Sequence, residues 1–230
     1  MPEIGVVYTA RGSNVGSGPP DWQARFPRFI KSYLQHPAGI DHRLYIFYKE
    51  FADVLDLAWA REQFAVLGDR VEILTNLGSK TTAGCTDVCG DVAEDLICPL
   101  NSSSEIMHDG WLKKLYGVLM QPDVHLVGCT GSHVATLHIR DTAFLIGRIR
   151  YATIAEQFDW KDPSRSGALN FEHGANNLTQ QVLRAGQKVF VVEDNRVISP
   201  EEWPNPTTYL GNQQNVLVLD RGSRDYKDFI

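Results

Sequence analysis

Short apolar runs alternate with amphipathic ones along most of this chain. Residues 4–9 are almost continuously apolar and bounded by turn-forming residues, the pattern of a strand buried on both faces. The run stops at Thr9-Ala10-Arg11-Gly12, and 12–20 is rich in Gly, Ser and Pro. From Pro20 or Asp21 to about Gln35, Trp22, Phe26, Phe29, Ile30, Tyr33 and Leu34 recur on one helical face. Residues 43–48 predict a second strand, 53–67 an amphipathic helix and 71–75 a third strand. Strands alternating with helices imply a mostly parallel sheet flanked by helices, an α/β sandwich in a single domain.

The pattern blurs at 76–90, where Gly, Ser and Thr predict a loop, followed by a short helix to about Glu94. A strand at 95–100 follows, then a helix at 105–119 with Ser102 or Ser103 as its cap and Glu105 or Asp109 in its first turns. Further strands are predicted at 124–128, 142–147 and 189–192, with a late one at 215–219. Helices are expected at 148–157 and 174–185, separated by a polar loop at 159–167, and Gly186 closes the second. No repeat and no linker divides the chain.

Composition narrows the class. The chain has 230 residues, 43% hydrophobic and 22% charged, which suits one globular domain. A net charge of -6 argues against a nucleic-acid partner, while still allowing a local basic cluster to hold a small anion. Cys85, Cys89, Cys98 and Cys129 form no CxxC pair, and Cys98 and Cys129 lie in apolar runs that read as core. Reduced thiols, an N-terminus that enters a strand directly and no apolar run near about 18 residues predict a cytoplasmic protein without a membrane span.

Phosphate-binding fingerprints are missing. Gly12, Gly16 and Gly18 do not make GxGxxG, Pro19-Pro20 prevents a helix from opening there, and no GKS or GKT occurs. The stretch of most chemical interest is Leu96-Ile97-Cys98-Pro99-Leu100-Asn101-Ser102-Ser103-Ser104-Glu105. It reads as a buried strand ending in small polar residues, which is how open α/β sheets deliver side chains into a ligand crevice.

Two stretches carry a resemblance. Leu100-Asn101-Ser102-Ser103-Ser104-Glu105, Gly110-Trp111-Leu112 and Val127-Gly128-Cys129-Thr130-Gly131-Ser132 form the first. His138-Ile139-Arg140-Asp141-Thr142-Ala143-Phe144 and Phe171-Glu172-His173-Gly174, on through Asn177-Leu178-Thr179 to Ala185-Gly186, form the second. Together they resemble small GT-A fold, family-2-like glycosyltransferases of bacterial surface-polysaccharide clusters and large algal viruses. The match runs from about 96 to 226; the first third is similar only as a generic GT-A start.

That resemblance implies a nucleotide-diphosphate sugar donor, a glycan acceptor and an inverting transfer. Glu172 falls where such enzymes carry the general base, with His173 in place of the usual Asp as a hydrogen-bond partner or acceptor contact. On local chemistry alone Glu172 has a plainer reading, an acidic residue favouring a helix N-terminus. Thr9, Ala10 and Arg11, with Tyr48 and Lys49, fall where the nucleoside is held; Tyr48 either stacks on the base or is a boundary core aromatic. Gly131, Ser132 and His133 would line the acceptor side. Trp203 is either an exposed-loop aromatic for a sugar face or a lid over the core.

Most GT-A enzymes bind Mg²⁺ or Mn²⁺ through Asp-x-Asp at the position that Asn101-Ser102-Ser103 takes here. Neutral Asn and Ser oxygens are weak ligands for a hard cation, so the expectation is no required metal, or a weakly bound one through Asn101 and Ser103. Charge compensation would then come from Arg140 above all, or from Arg11, Lys49, Lys80, Arg221, Arg224 and the N–H groups of a helix starting near Ser104. Relatives often read Arg-Thr-Asn where this chain has Arg140-Asp141-Thr142. A nucleotide-binding half at about 1–104 and a catalytic half at about 105–230 follow from the same resemblance. The alternatives are a non-catalytic sugar- or nucleotide-binding module and a sugar-nucleotide pyrophosphorylase, which should show a GxGxRL-type loop that Arg11-Gly12-Ser13 does not supply.

Overall fold

The computed structural model describes residues 1–12, 22–74, 92–133, 136–141, 143–160, 166–203 and 215–220. Its centre is β1 (Ile4–Arg11), which runs parallel to β2 (Arg43–Lys49) on one side and β4 (Leu96–Leu100) on the other. β3 (Val71–Leu74) adds in parallel beyond β2. β9 (Phe144–Gly147) lies antiparallel between β4 and β6 (Val124–Gly128). β10 (Lys188–Val192) is parallel to β6 and carries β11 (Val197–Ile198) as an antiparallel edge. The order β11-β10-β6-β9-β4-β1-β2-β3 gives one eight-stranded, mostly parallel sheet.

Side-chain alternation splits the interior into two cores. Val6, Tyr8 and Ala10 of β1 join one, where Tyr8 stacks on Phe29 with ring centroids 3.7 Å apart; Val7 joins the other. The first core is covered by α1 (Trp22–Gln35), α2 (Val54–Phe64) and α3 (Trp111–Leu119). The second is covered by α4 (Arg148–Ala155), α5 (Ser166–His173) and α6 (Leu178–Arg184). Burial on both faces is what near-continuous apolar strands require. Cys98 and Cys129 are buried free thiols, as their apolar runs predict.

Three differences from the sequence reading matter. No helix starts at Ser104. Asn101 Oδ1 accepts the Ser103 N–H at 2.9 Å, and the Asn101 carbonyl accepts the Ser104 N–H at 3.1 Å, so the short polar side chains close a turn. The next N–H groups go to other elements, Ile106 to Ser32 Oγ and Met107 to the Leu217 carbonyl. They draw the chain into β5 (Glu105–Ile106), paired antiparallel with β12 (Val218–Leu219), and α3 begins only at Trp111. Second, the strand predicted at 142–147 runs against its neighbours. Third, the predicted loop at 159–167 gives way to a helix, α5, so that Glu172 lies in its last turn and ahead of α6, which Gly186 closes at φ +74°.

Candidate functional site

The strands β1, β2, β4 and β6 all end on one edge of the sheet. Thr9, Ala10 and Arg11 pair in register with Phe47, Tyr48 and Lys49, so the two predicted nucleoside-binding segments do lie side by side. Arg11 Nε and Lys49 Nζ both contact the Glu50 carboxylate, the latter at 3.6 Å. Glu50 takes a positive φ of 58°, a strained state for a residue with a side chain. Tyr48 is not a stacking platform. It is fully buried, edge-on to Phe64 at 5.9 Å and tilted against Phe51, so of its two readings the core aromatic is the one realised.

At the end of β4, Ser102 is buried and its hydroxyl accepts from Arg25 Nη1 at 3.2 Å. Its carbonyl accepts from the Tyr8 hydroxyl at 3.0 Å. Arg25 is itself only 4% exposed. Sequence reasoning missed it, although a signal was present: an arginine four residues before Phe29, on the apolar stripe of α1.

A second polar cluster lies around Arg140 and Glu172. β7 (Gly131–Ser132) and β8 (His138–Ile139) form a small antiparallel ribbon after β6. Arg140 follows β8, its N–H held by the Thr130 carbonyl at 3.1 Å. Three residues on, the Ala143 N–H donates to Pro99 at 2.7 Å, which ties this segment to the end of β4. Arg140 Nε lies 3.6 Å from Glu172 Oε1, and Nη2 lies 3.3 Å from Asp220 Oδ2. Asp220, just past β12, was not foreseen; nothing in the polar tail marks it. Glu172 Oε1 has no hydrogen-bond partner among the described residues, while Oε2 lies 3.2 Å from His173 Nε2.

This clustering shifts the titrations. Burial raises the Glu172 carboxyl against the pull of Arg140 and of the Asp141 N–H. The nearby Glu172 carboxylate pushes Asp141 up to about 7. Asp141 stands exposed at the surface, so repulsion rather than desolvation is the cause we assign. Repulsion is mutual, and the two acids titrate as a pair. Burial lowers His173 and pushes His138 down to about 4.

Of the predicted acceptor residues, Gly131 and Ser132 are buried in β7, with Ser132 opposite His138, and His133 is exposed just beyond. Trp203 is a correction. Its exposure is 0%, its indole N–H reaches the Ile198 carbonyl at 3.4 Å, and a Cβ on Gly131 would meet its ring at 2.9 Å. It is a core residue beneath β7, not an exposed aromatic. Lys80, Arg221, Arg224, Cys85 and Cys89 lie outside the described residues.

The Asn101 turn does not fit a divalent cation. Asn101 Oδ1 already accepts from Ser103 and from Ser104 Oγ, at 2.9 and 3.3 Å, and the Ser102 hydroxyl is turned to a guanidinium. Among the described residues the one group with metal-ligand chemistry is His138, Glu172 and His173, whose donor atoms lie within 4.8 Å of one another. As placed they form a chain rather than a shell: one ring nitrogen of His173 faces His138 and the other faces Glu172.

No protein-family description matches this chain, and no curated protein matches its sequence. Solved structures do match. The mannosyltransferase PcManGT from Pyrobaculum calidifontis, in complex with GDP-Man and Mn²⁺, superposes with a TM-score of 0.58 at 9% identity, over 86% of this chain and 57% of that one. Two further solved structures superpose more loosely. CMP:2-keto-3-deoxy-manno-octonic acid synthetase with CTP scores 0.46 at 12% identity, over 81% of this chain and 88% of that one. Glucosyl-3-phosphoglycerate synthase from Mycobacterium tuberculosis, with Mn²⁺, UDP and glucosyl-3-phosphoglycerate, scores 0.46 at 13%, over 65% and 58%. The chain thus spans little more than half the length of either transferase. The fold is that of GT-A proteins, a mostly parallel sheet flanked by helices in one domain.

Proposed function

We propose that this chain is an inverting glycosyltransferase with Glu172 as its general base. The reading takes the donor to be a GDP- or UDP-linked hexose or deoxyhexose, rhamnose among them, and the acceptor a glycan hydroxyl. The observation that carries it is Glu172 itself: a largely buried carboxylate of raised pKa on a GT-A scaffold, set beside Arg140.

In this reading the segment at about 1–104 holds the nucleotide, through Thr9, Ala10, Arg11 and Lys49 at the ends of β1 and β2. The diphosphate lies over the Asn101-Ser102-Ser103 turn, its charge met by Arg140 and Arg25. The acceptor enters past Gly131, Ser132 and His133 in the half at about 105–230. Its hydroxyl gives its proton to Glu172 as the new bond to the anomeric carbon forms and the diphosphate leaves with the old bond's electrons.

The test is a panel of GDP-, UDP- and dTDP-sugars, with and without EDTA, followed by release of free nucleotide. Turnover of one donor that persists in EDTA is the expected result. Glu172→Gln should then lower kcat by about 10²- to 10⁴-fold, the usual worth of a general base; near-native turnover would remove Glu172 from that role. A second reading, a binding module without turnover, draws on the neutral Asn101 turn. Nucleotide binding with no hydrolysis or transfer across the panel would establish it.

A further inference from the structure

The contacts of Glu172, His173 and His138 restrict where their protons sit. His138 Nδ1 lies 2.7 Å from the Thr136 carbonyl, which can only accept, so Nδ1 carries the hydrogen and Nε2 of the neutral ring is bare. That bare nitrogen faces His173 Nδ1 at 3.3 Å, with the rings nearly perpendicular at 75°. The pair is attractive when His173 carries its hydrogen on Nδ1. His173 Nε2 is then bare in its turn, and it faces Glu172 Oε2 at 3.2 Å.

A bare carboxylate and two neutral rings leave two acceptors opposed at that last contact. One added proton on Glu172 removes that opposition, and the hydrogen bonds beyond it then run from donor to acceptor, from His173 through His138 to Thr136. The array therefore has a built place for one proton, and glycosyl transfer generates one. Glu172 is badly placed to shed it directly, since its side chain is only 12% exposed, whereas that of His173 is 36% exposed.

We propose that Glu172, His173 and His138 form a proton exit. Glu172 passes the acceptor's proton to Nε2 of His173, which releases it to solvent, while His138 holds His173 in the tautomer that keeps that nitrogen bare. This rests on Glu172 being the base. Protons balance over the cycle: one leaves the acceptor hydroxyl, enters on the Glu172 carboxylate, and is presented to His173 from the oxygen beside it, any exchange of the two oxygens needing only a half-rotation of the carboxyl group, a soft two-fold torsion. It then leaves as a hydrated proton and restores the carboxylate. The charges facing the relay are Arg140, Asp141 and Asp220, and the backbone around it is pinned: Thr136 Oγ1 donates to the His173 carbonyl at 2.5 Å, and Asn177 Nδ2 donates to Thr136 Oγ1 at 2.9 Å. His138 is a positioning residue here, acting only through His173.

The experiment compares His173→Ala, His173→Gln and His138→Phe with the native chain and with Glu172→Gln, using the donor identified by the panel. His173→Ala should lose about 10- to 100-fold in steady-state kcat, with the donor KM held within about two-fold and single-turnover product formation close to native. Added imidazole should restore its turnover, with the rescue rising through the imidazole titration. His173→Gln preserves size and hydrogen bonding but cannot carry a proton, so it should show the same loss at native thermal stability. His138→Phe should show a smaller loss and a shifted pH profile. Native kcat in both His173 variants, or a loss that imidazole leaves untouched while Glu172→Gln is inactive, would overturn the exit alone. Full turnover by Glu172→Gln would instead overturn the base assignment. A stoichiometric divalent cation in the dialysed native protein, absent from His138→Phe, would also overturn the exit, because the bare nitrogens would be ligands.

Discussion

Asp141 and Glu172 compete for ionisation beside a single arginine, Arg140. If Glu172 is the base, it loses its proton later than an isolated carboxyl, so the acid limb of kcat/KM should lie above the usual carboxyl range of about pH 4 to 5. Asp141→Asn removes the repulsion, and a pH–rate series should show that limb moved to lower pH. An unmoved limb would mean that the base is another group. Ala143 holds a left-handed φ of 53° while its N–H and carbonyl bond Pro99 and Cys129. Glycine has no Cβ penalty there but gives up a buried methyl worth about 0.8 kcal/mol, so Ala143→Gly should change stability by less than about 1 kcal/mol in urea unfolding, where an ordinary buried Ala→Gly change would be plainly destabilising.

Among the elements, α6 ties the site together. Asn177 is fully buried, caps α6 by accepting the Gln180 N–H at 2.9 Å, and donates to Thr136 Oγ1. Thr179 Oγ1 accepts the Ile139 N–H at 2.8 Å, which fixes β8 against the same helix. Losing a helix cap costs about 1 kcal/mol, and here a buried Thr136 contact goes with it. Asn177→Ala should therefore destabilise by about 1–3 kcal/mol and lower kcat, since His173 and His138 are hung from that corner. Chemical denaturation and steady-state rates measured on one preparation would check both halves. The Asn101 turn shows the opposite case, a predicted helix start that tertiary partners for Ile106 and Met107 pulled into a strand.

At the scale of the whole molecule, opposed titrations contribute to the pH dependence of stability, those of Asp141 and His138 among them. Asp141 is raised to about 7 in the fold, so its stabilising contribution is complete below its unfolded value near 4 and is lost as pH climbs through about 7. His138 is lowered to about 4, so its contribution is complete above about 6.5 and is lost as pH falls through about 4. Between those limits the two effects oppose each other. Removing one should expose the other: the Tm of Asp141→Asn should gain on the native Tm as pH rises from about 4 to about 7. A constant difference across that window would refute the linkage. A nucleoside diphosphate that binds the folded chain should raise Tm as its concentration passes Kd, equally in EDTA if Arg140 and Arg25 meet its charge.

Local pattern determined much of this protein. The strands of the sheet other than β11, the helices at 22–35 and 54–64 and the Gly186 stop follow from apolar periodicity and cap chemistry, which act over a few residues. The same residues carried the GT-A resemblance and pointed to Glu172, His173 and Arg140. Only the tertiary structure decided the rest. Tyr48 and Trp203 are core because other segments cover them, and no local spacing encodes that. Arg25 meets Ser102 across 77 positions, and Asp220 meets Arg140 from beyond β12. His173 meets His138 across 35 positions. Burial, opposed charges and hydrogen-bond polarity are properties of such meetings, so they come into being only when the chain closes on itself.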